Sequence, residues 1–326
     1  MAPLTVKPDE EKRLKGMGFL NNRGTDNFSA RVLTVNGKVT TEQMKALQEA
    51  ADAYGNGIVT LTTRLTFEVQ GIPYDKAEDF QAAIGKAGLI TGGTGSKVRP
   101  VVSCKGTTCQ YGLIDTFALS EKIHERFYIG YHDVLLPHKF KIAVGGCPNN
   151  CVKPDLNDLG IIGQRPVVVE EDDCNGCKEC AVLNACPMGC ITRDEDGIVQ
   201  IDKEHCNNCG RCVRPSNDGK SVVCPFKAVT AEYTGYKIYL GGRWGKHVTH
   251  GRPMSKVFKT EEEALDVIEK AILLFREQGQ TGERFAQTID RIGFENVEAQ
   301  LMSNEIMKRK EAILAAKLHL TGGAKC

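Results

Sequence analysis

No stretch of this 326-residue chain is apolar for long enough to span a bilayer. Its opening segment, MAPLTVKPDEEKRLKGMGF, lacks the apolar core of a secretory signal. A cytoplasmic protein is the expectation. An excess of one charge is missing too: 42 basic and 41 acidic side chains leave a net charge of +1. Bulk electrostatics therefore favour neither nucleic acid nor a membrane surface, and any anion must be recognised by a local patch. No flavin or nicotinamide motif is visible. What the chain has in abundance is cysteine, fourteen in all. In a reducing compartment so many thiols argue for metal rather than for a disulfide framework. All but Cys326 lie between Cys104 and Cys224.

The length suits two or three domains. FSARVLTVNGKVT reads as a strand, and TTEQMKALQEAADAYG as a helix opened by a capping box from Thr40 to Gln43. That helix would turn Met44, Leu47, Ala51 and Tyr54 to one face. GIVTLTTRLTFEVQGI reads as one strand, with Val59, Leu61, Leu65, Phe67 and Val69 on one side and Arg64 among threonines on the other. PYDKAEDFQAAIGKAGL suits a helix with Pro73 near its start. GGTGS, residues 92–96, marks a linker. Late in the chain come a strand, GYKIYLGG, and a helix capped by Thr260 and Glu263 that carries Ala264, Ile268, Ala271 and Phe275 on one face. The amphipathic helical tail after it suits packing or an interface between protomers. The fold class expected is α+β.

Nine of the cysteines crowd between Cys174 and Cys224, a segment with no long amphipathic run. CNGCKEC gives Cys174, Cys177 and Cys180, with Cys186 and Pro187 following. CNNCGRC gives Cys206, Cys209 and Cys212, with Cys224 and Pro225 following. Three cysteines at two-residue spacing and a later Cys-Pro are the bacterial ferredoxin pattern, in which the fourth cysteine serves the other cluster. Cys174, Cys177, Cys180 and Cys224 are thus expected to hold one 4Fe-4S cluster, and Cys206, Cys209, Cys212 and Cys186 a second. Zinc also uses paired C-x2-C ligands, but rarely a third cysteine at the same spacing, twice. Cys190 is surplus and reads as a buried thiol; Cys326 has no partner in sequence.

A different quartet stands in SCKGTTC and GGCPNNC: Cys104, Cys109, Cys147 and Cys151. Pro148 suits the first position of a helix, which would make Cys147 its cap and put Cys151 one turn on. Separate buried cysteines or another zinc site are the alternatives. Directly ahead, in PHKFKIAVGG, strand periodicity places Lys139 and Lys141 on one face and Phe140 on the other. Two cations then point at one spot.

LTTRLTF, VRPVVSCKGTTC and PHKFKIAVGGCPNNC, in this order, make the chain closely resemble the siroheme-containing sulfite and nitrite reductases. With its two-cluster insert it is most similar to the catalytic C subunit of the anaerobic, dissimilatory-type sulfite reductases. The resemblance covers residues 20 to 295, and it departs in one detail: four residues separate Cys104 from Cys109 where many members have five. It implies that Cys104, Cys109, Cys147 and Cys151 bind a 4Fe-4S cluster, with Cys151 bridging to the siroheme iron. It also implies that Arg64, Arg99, Lys139 and Lys141 surround the substrate oxyanion. Siroheme carboxylates demand further cations, for which Arg31 and Arg243 come first, with Lys246 and Arg252 nearby in GGRWGKHVTHGR and His247 and His250 as weaker candidates.

The resemblance further implies a ferredoxin-like half module over residues 1–92 and a siroheme and 4Fe-4S domain split between 93–168 and 231–277. A two-cluster ferredoxin domain would be inserted at 169–230, and 278–326 would form the helical tail. The activity implied is six-electron reduction of sulfite to sulfide. Nitrite reduction to ammonia, or an electron-transfer subunit without siroheme, are the alternatives. A donor subunit or soluble carrier would supply the electrons, and larger relatives with two copies of the repeat make an oligomer the expectation.

Overall fold

The computed structural model describes residues 6–214 and 223–318; Cys326 lies outside them. The N-terminal part is a four-stranded antiparallel sheet of β1 (Phe19–Asn21), β2 (Asn27–Val32), β3 (Val59–Leu61) and β4 (Phe67–Pro73), in the order β1-β2-β4-β3. It packs with α1 (Pro8–Gly16), α2 (Thr41–Tyr54) and α3 (Ala77–Gly85) around Phe19, Phe28, Leu47, Ile72 and Phe80. The capping box on α2 is formed, Thr40 accepting from the Gln43 N–H. Its buried face is Leu47, Ala50 and Ala51, while Met44 is exposed.

One expectation changes here, and one helix was not anticipated. Residues 57–72 are a hairpin, not one strand: the turn from Thr62 to Thr66 is closed by a 2.9 Å backbone bond and a 2.6 Å contact between the two threonine hydroxyls, with Leu65 at φ +56°. Val59 and Leu61 consequently face outward, Leu61 at 79% exposure, and Arg64 sits at the hairpin tip. The helix α1 carries no periodic apolar signal because Leu14 is its only buried residue. It is favoured instead by Pro8 at its start, Asp9, Glu10 and Glu11 in the first turn, and Arg13 and Lys15 in the last, the charge order that a helix dipole prefers.

The second sheet begins with β5 (Val102–Ser103), β6 (Ile142–Gly145) and β7 (Leu159–Gln164), all parallel. Between β5 and β6 runs α4 (Thr116–Ile123), which widens into a π-turn over His124–Ile129. After β7 the chain leaves for a small insert with a neck of β8 (Val167–Val169) paired to β11 (Val229–Ala231). The insert holds one short helix, α5 (Ala181–Ala185), and a second ribbon of β9 (Ile191–Arg193) and β10 (Val199–Ile201).

The chain returns with β12 (Gly235–Leu240) and β13 (Arg252–Phe258), which complete the sheet in the order β13-β12-β7-β6-β5. Helix α6 (Glu261–Gln278), opened by the Thr260 and Glu263 capping box, is buried along most of its length. The sheet and the tail bury it together, for α7 (Phe285–Ile292), α8 (Phe294–Met302), α9 (Glu305–Lys308) and α10 (Lys310–Ala315) join it and the strands in one apolar core. No helix among the described residues is long and apolar enough to cross a membrane.

Candidate active site

Two segments, 98–104 and 140–147, run side by side in parallel. Val98 bridges Phe140, the Arg99 N–H donates to the Phe140 carbonyl at 2.8 Å, and the Cys104 N–H donates to the Val144 carbonyl at 3.1 Å. Each segment carries cations first and a cysteine last. Parallel pairing therefore gathers the cations at one end and the thiols at the other. Phe140 is fully buried, while Lys139 and Lys141 are half-buried on the other face, as a period of two requires.

At the cation end opens a cavity of about 330 Å³ whose wall includes Lys15, Arg31, Arg64, Arg99, Lys139 and Lys141. A water claims about 30 Å³ of liquid, so the space admits a bulky anion. No carboxylate lines it among the described residues. Arg64 reaches it from the hairpin tip, and most of its guanidinium is already engaged. Nε and Nη2 donate to the Pro100 carbonyl at 3.2 and 2.7 Å, Nη2 to the Ile142 carbonyl at 3.1 Å, and Nη1 to Asn157 Oδ1 at 3.0 Å. Burial is the main reason its pKa falls to about 10, which leaves it charged at neutral pH. Arg31 pairs with Glu68 at 3.0 Å, and its buried Nε has no hydrogen-bond partner.

Burial, then Arg64 and Arg284, lowers the Lys141 pKa to about 8, with Asp158 opposing. Asp158 is wholly buried; it accepts the Lys141 N–H at 2.9 Å and is paired with Arg284 at 2.7 Å. The tail therefore braces the site from behind. His138 Nδ1 accepts the Lys139 N–H at 2.8 Å, and burial with Arg284 and Lys139 nearby holds its pKa at about 4. Sequence reasoning missed Lys15, His138, Asp158 and Arg284. His138 had a signal, its place in PHKFK, whereas the others come from remote segments.

Other candidates are placed elsewhere. Arg243 is close enough to His138 to help depress its pKa, but it does not line the cavity. Its backbone closes an exposed hairpin on Thr249, with Lys246 and His247 in between. Arg252 pairs with Asp290 at 3.1 Å and lies 4.6 Å from the Phe294 ring centroid, and His250 bonds Asp155 at 2.7 Å.

At the thiol end, burial raises the Cys147 pKa, and Cys104, Cys151 and Cys109 add to the rise, so all three lie within electrostatic reach of Cys147. The Gly146 N–H donates to Cys104 Sγ at 3.2 Å. No helix begins at Pro148: Asn150 at φ +55° and Lys153 at φ +48° turn the chain instead, and a helix dipole has no part at Cys147. Cys151 is exposed.

In the insert, burial and then Cys209, Cys206 and Cys186 push the Cys212 thiol up to about 11. These four cysteines line one cavity with Val167, Ile191 and Ile201. Cys174, Cys180 and Cys224 pack around the same small apolar core, and the Cys177 carbonyl accepts from Arg193 at 2.7 Å. Cys190 is buried beside Cys186 and Cys206. Among the described residues no three His, Cys, Asp or Glu side chains converge as ligands of a single ion; a cubane cluster asks for no such convergence, because each thiolate binds its own iron. The insert docks by the loop of its second quartet: Arg214 donates to the Gln110 carbonyl at 2.7 Å, and Arg211 and Arg214 lie 5.4 and 5.5 Å from the Tyr111 ring, beside Cys109.

Residues 94–310 match the nitrite and sulphite reductase 4Fe-4S domain, and residues 21–87 match the nitrite/sulfite reductase ferredoxin-like half domain. The chain is 30% identical over 273 residues to the coenzyme F420-dependent sulfite reductase of Methanocaldococcus jannaschii, covering 82% of this chain and 41% of that protein. It is 29% identical over 191 residues to the C subunit of the anaerobic sulfite reductase of Salmonella typhimurium, covering 52% of each. It thus spans about half or less of these two relatives. Among solved structures, dissimilatory sulfite reductase I is similar with a TM-score of 0.65 at 22% identity, over 85% of this chain and 69% of that one. The domain match alone covers most of the chain: it belongs to the nitrite and sulphite reductase family.

Proposed function

We propose that this chain reduces sulfite to sulfide, a six-electron reaction, at a siroheme coupled to a 4Fe-4S cluster, with two further 4Fe-4S clusters in the insert. The observation that carries this reading is the cavity where Arg31, Arg64, Arg99, Lys139 and Lys141 meet Lys15 with no carboxylate on the wall among the described residues. Relatives named sulfite reductase support the choice of substrate.

The donors fit these groups. A polyanionic macrocycle and an oxyanion both need a cationic wall, and the buried Arg31 Nε is a donor still lacking an acceptor. Cys104, Cys109, Cys147 and Cys151 would hold the coupled cluster. Cys174, Cys177, Cys180 and Cys224, and Cys186, Cys206, Cys209 and Cys212, would hold the other two. When bound, siroheme and the clusters supply the storage and delivery of electrons.

The protein supplies position, charge and protons. Arg99, Lys139 and Lys141 offset the charge of the anion and orient its oxygens, while Arg64, fastened to two backbone carbonyls and Asn157, keeps the hairpin tip in place as part of the wall. Loss of three oxygens as water consumes protons. Lys141, with a pKa of about 8, is mostly protonated at neutral pH yet can give up its proton at low cost. A donor protein or a soluble carrier would supply the electrons.

An anaerobic absorption spectrum of the chain, purified from siroheme-producing cells, tests the reading. Siroheme bands that shift when sulfite meets the reduced protein are expected, and nitrite is the comparison substrate. Broad cluster absorption alone would refute the catalytic reading in favour of an electron-transfer subunit.

A further inference from the structure

We propose that the Gly92–Gly93 linker is a hook that aligns the cavity arginines, and that Tyr128, on the π-turn, is the positioning residue that holds it. The Tyr128 hydroxyl accepts the Gly93 N–H at 2.9 Å in a buried contact. A β-carbon on Gly92 would lie 2.5 Å from that hydroxyl oxygen, so a larger residue would push the two apart. The Gly92 N–H in turn donates to the Arg31 carbonyl at 3.0 Å, which ties the linker to β2. Gly93 adopts φ +72°, a left-handed conformation that glycine accepts without strain. Its carbonyl accepts from Arg99 Nη1, and Arg31 Nη1 reaches the same oxygen at 3.4 Å. A single peptide segment thus connects the hydroxyl on one side with two cavity guanidiniums on the other.

The π-turn gives Tyr128 its place. Its extra residue per turn breaks the α-helical register after Ile123, and such turns recur at functional sites. Tyr128 is 4% exposed and stacks on His124, with ring centroids 5.2 Å apart and planes 19° from parallel. The ring is therefore fixed, and the hydroxyl is its one polar handle on the linker. Phenylalanine would keep the ring and its packing but leave the buried Gly93 N–H without an acceptor.

The meaning of the hook for catalysis rests on the anion-binding reading of the cavity, but its existence does not. The test is Tyr128→Phe in the holoprotein purified anaerobically, with the rate of phenylglyoxal modification followed at each arginine by peptide mass spectrometry. Release of one hydrogen bond should raise the rates at Arg31 and Arg99 by about three- to tenfold, with Arg252 unchanged as the internal reference. Gly92→Ala should raise the same two rates although the tyrosine is still present, which covers the case in which the first variant folds poorly. Unchanged rates at Arg31 and Arg99 in the folded variants would overturn the hook. In the same samples the affinity for sulfite should fall over a similar range while iron content is retained. A wild-type protein that binds no sulfite would refute the proposed function, and the arginine rates would still decide the hook.

Discussion

Replacing Lys141 with methionine removes one charge from the cavity at nearly constant side-chain length. Burial, with Arg64 and Arg284 adding to it, lowers this lysine's pKa to about 8. At pH 7 it is mostly charged and available to an anion. A charge-assisted hydrogen bond of about 1.5–3 kcal/mol corresponds to roughly a 10- to 150-fold loss of affinity in the variant. An anion bound beside Lys141 favours its charged form and pulls its pKa back up, so binding takes up a proton once the pH exceeds about 8. Wild-type affinity should therefore fall by up to about tenfold per pH unit above that point, whereas the variant stays flat and the two curves converge. Calorimetric titration with sulfate, whose charge is constant across this range, measures both. The same shift fixes a stability sign. A lysine whose folded pKa lies below its unfolded value destabilises the fold below pH 8, and the cost fades as the pH climbs from 8 towards the ordinary lysine value. Lys141→Met should thus raise the unfolding midpoint at pH 7 and lose that advantage at high pH. Parallel binding curves, or a variant less stable than wild type at pH 7, would refute the reasoning.

Arg64→Ala strips partners from the Pro100 and Ile142 carbonyls and from Asn157, and should cost about 3 kcal/mol or more of stability; a urea midpoint within error of wild type would contradict a bracing role. Arg64→Lys should recover little, since an ammonium cannot span the same fork of acceptors. Arg284→Met leaves Asp158 buried and unpaired and should cost about 3–5 kcal/mol, most of it regained in the double variant with Asp158→Asn; thermal unfolding of the set checks this. Cys212→Ser should remove the iron of one cluster, while Cys190→Ser should leave iron content unchanged; equal loss in both would make Cys190 a ligand.

Where local chemistry dictated structure, it could be read directly. The Thr40 and Thr260 capping boxes formed because each satisfies helix N–H groups within three residues. The alternation of Lys139, Phe140 and Lys141 held because strand geometry needs no distant partner to set it. Reading failed where two local patterns competed. In 57–72 an alternation interrupted at Thr63 hid a turn closed by Thr62 and Thr66, and in 147–151 a proline suited to a helix start lies in a turn instead. Helix α1 was invisible because its support is charge order and one leucine, not a stripe.

The sequence by itself determined which thiols share a spacing, which lysines share a face, and that the cations stand ahead of the cysteines in each of two segments. Those are properties of neighbours, fixed by bond geometry over a few residues. Only the tertiary structure decided that Lys15, Arg31, Arg64, Arg99, Lys139 and Lys141 share one cavity, that Arg64 is largely fastened to backbone, and that Arg284 of the tail braces Lys141 through Asp158. The reason is physical. Convergence of remote segments depends on parallel strand pairing, a hairpin tip and a glycine linker meeting in one place, and no short stretch of sequence carries the information that they do.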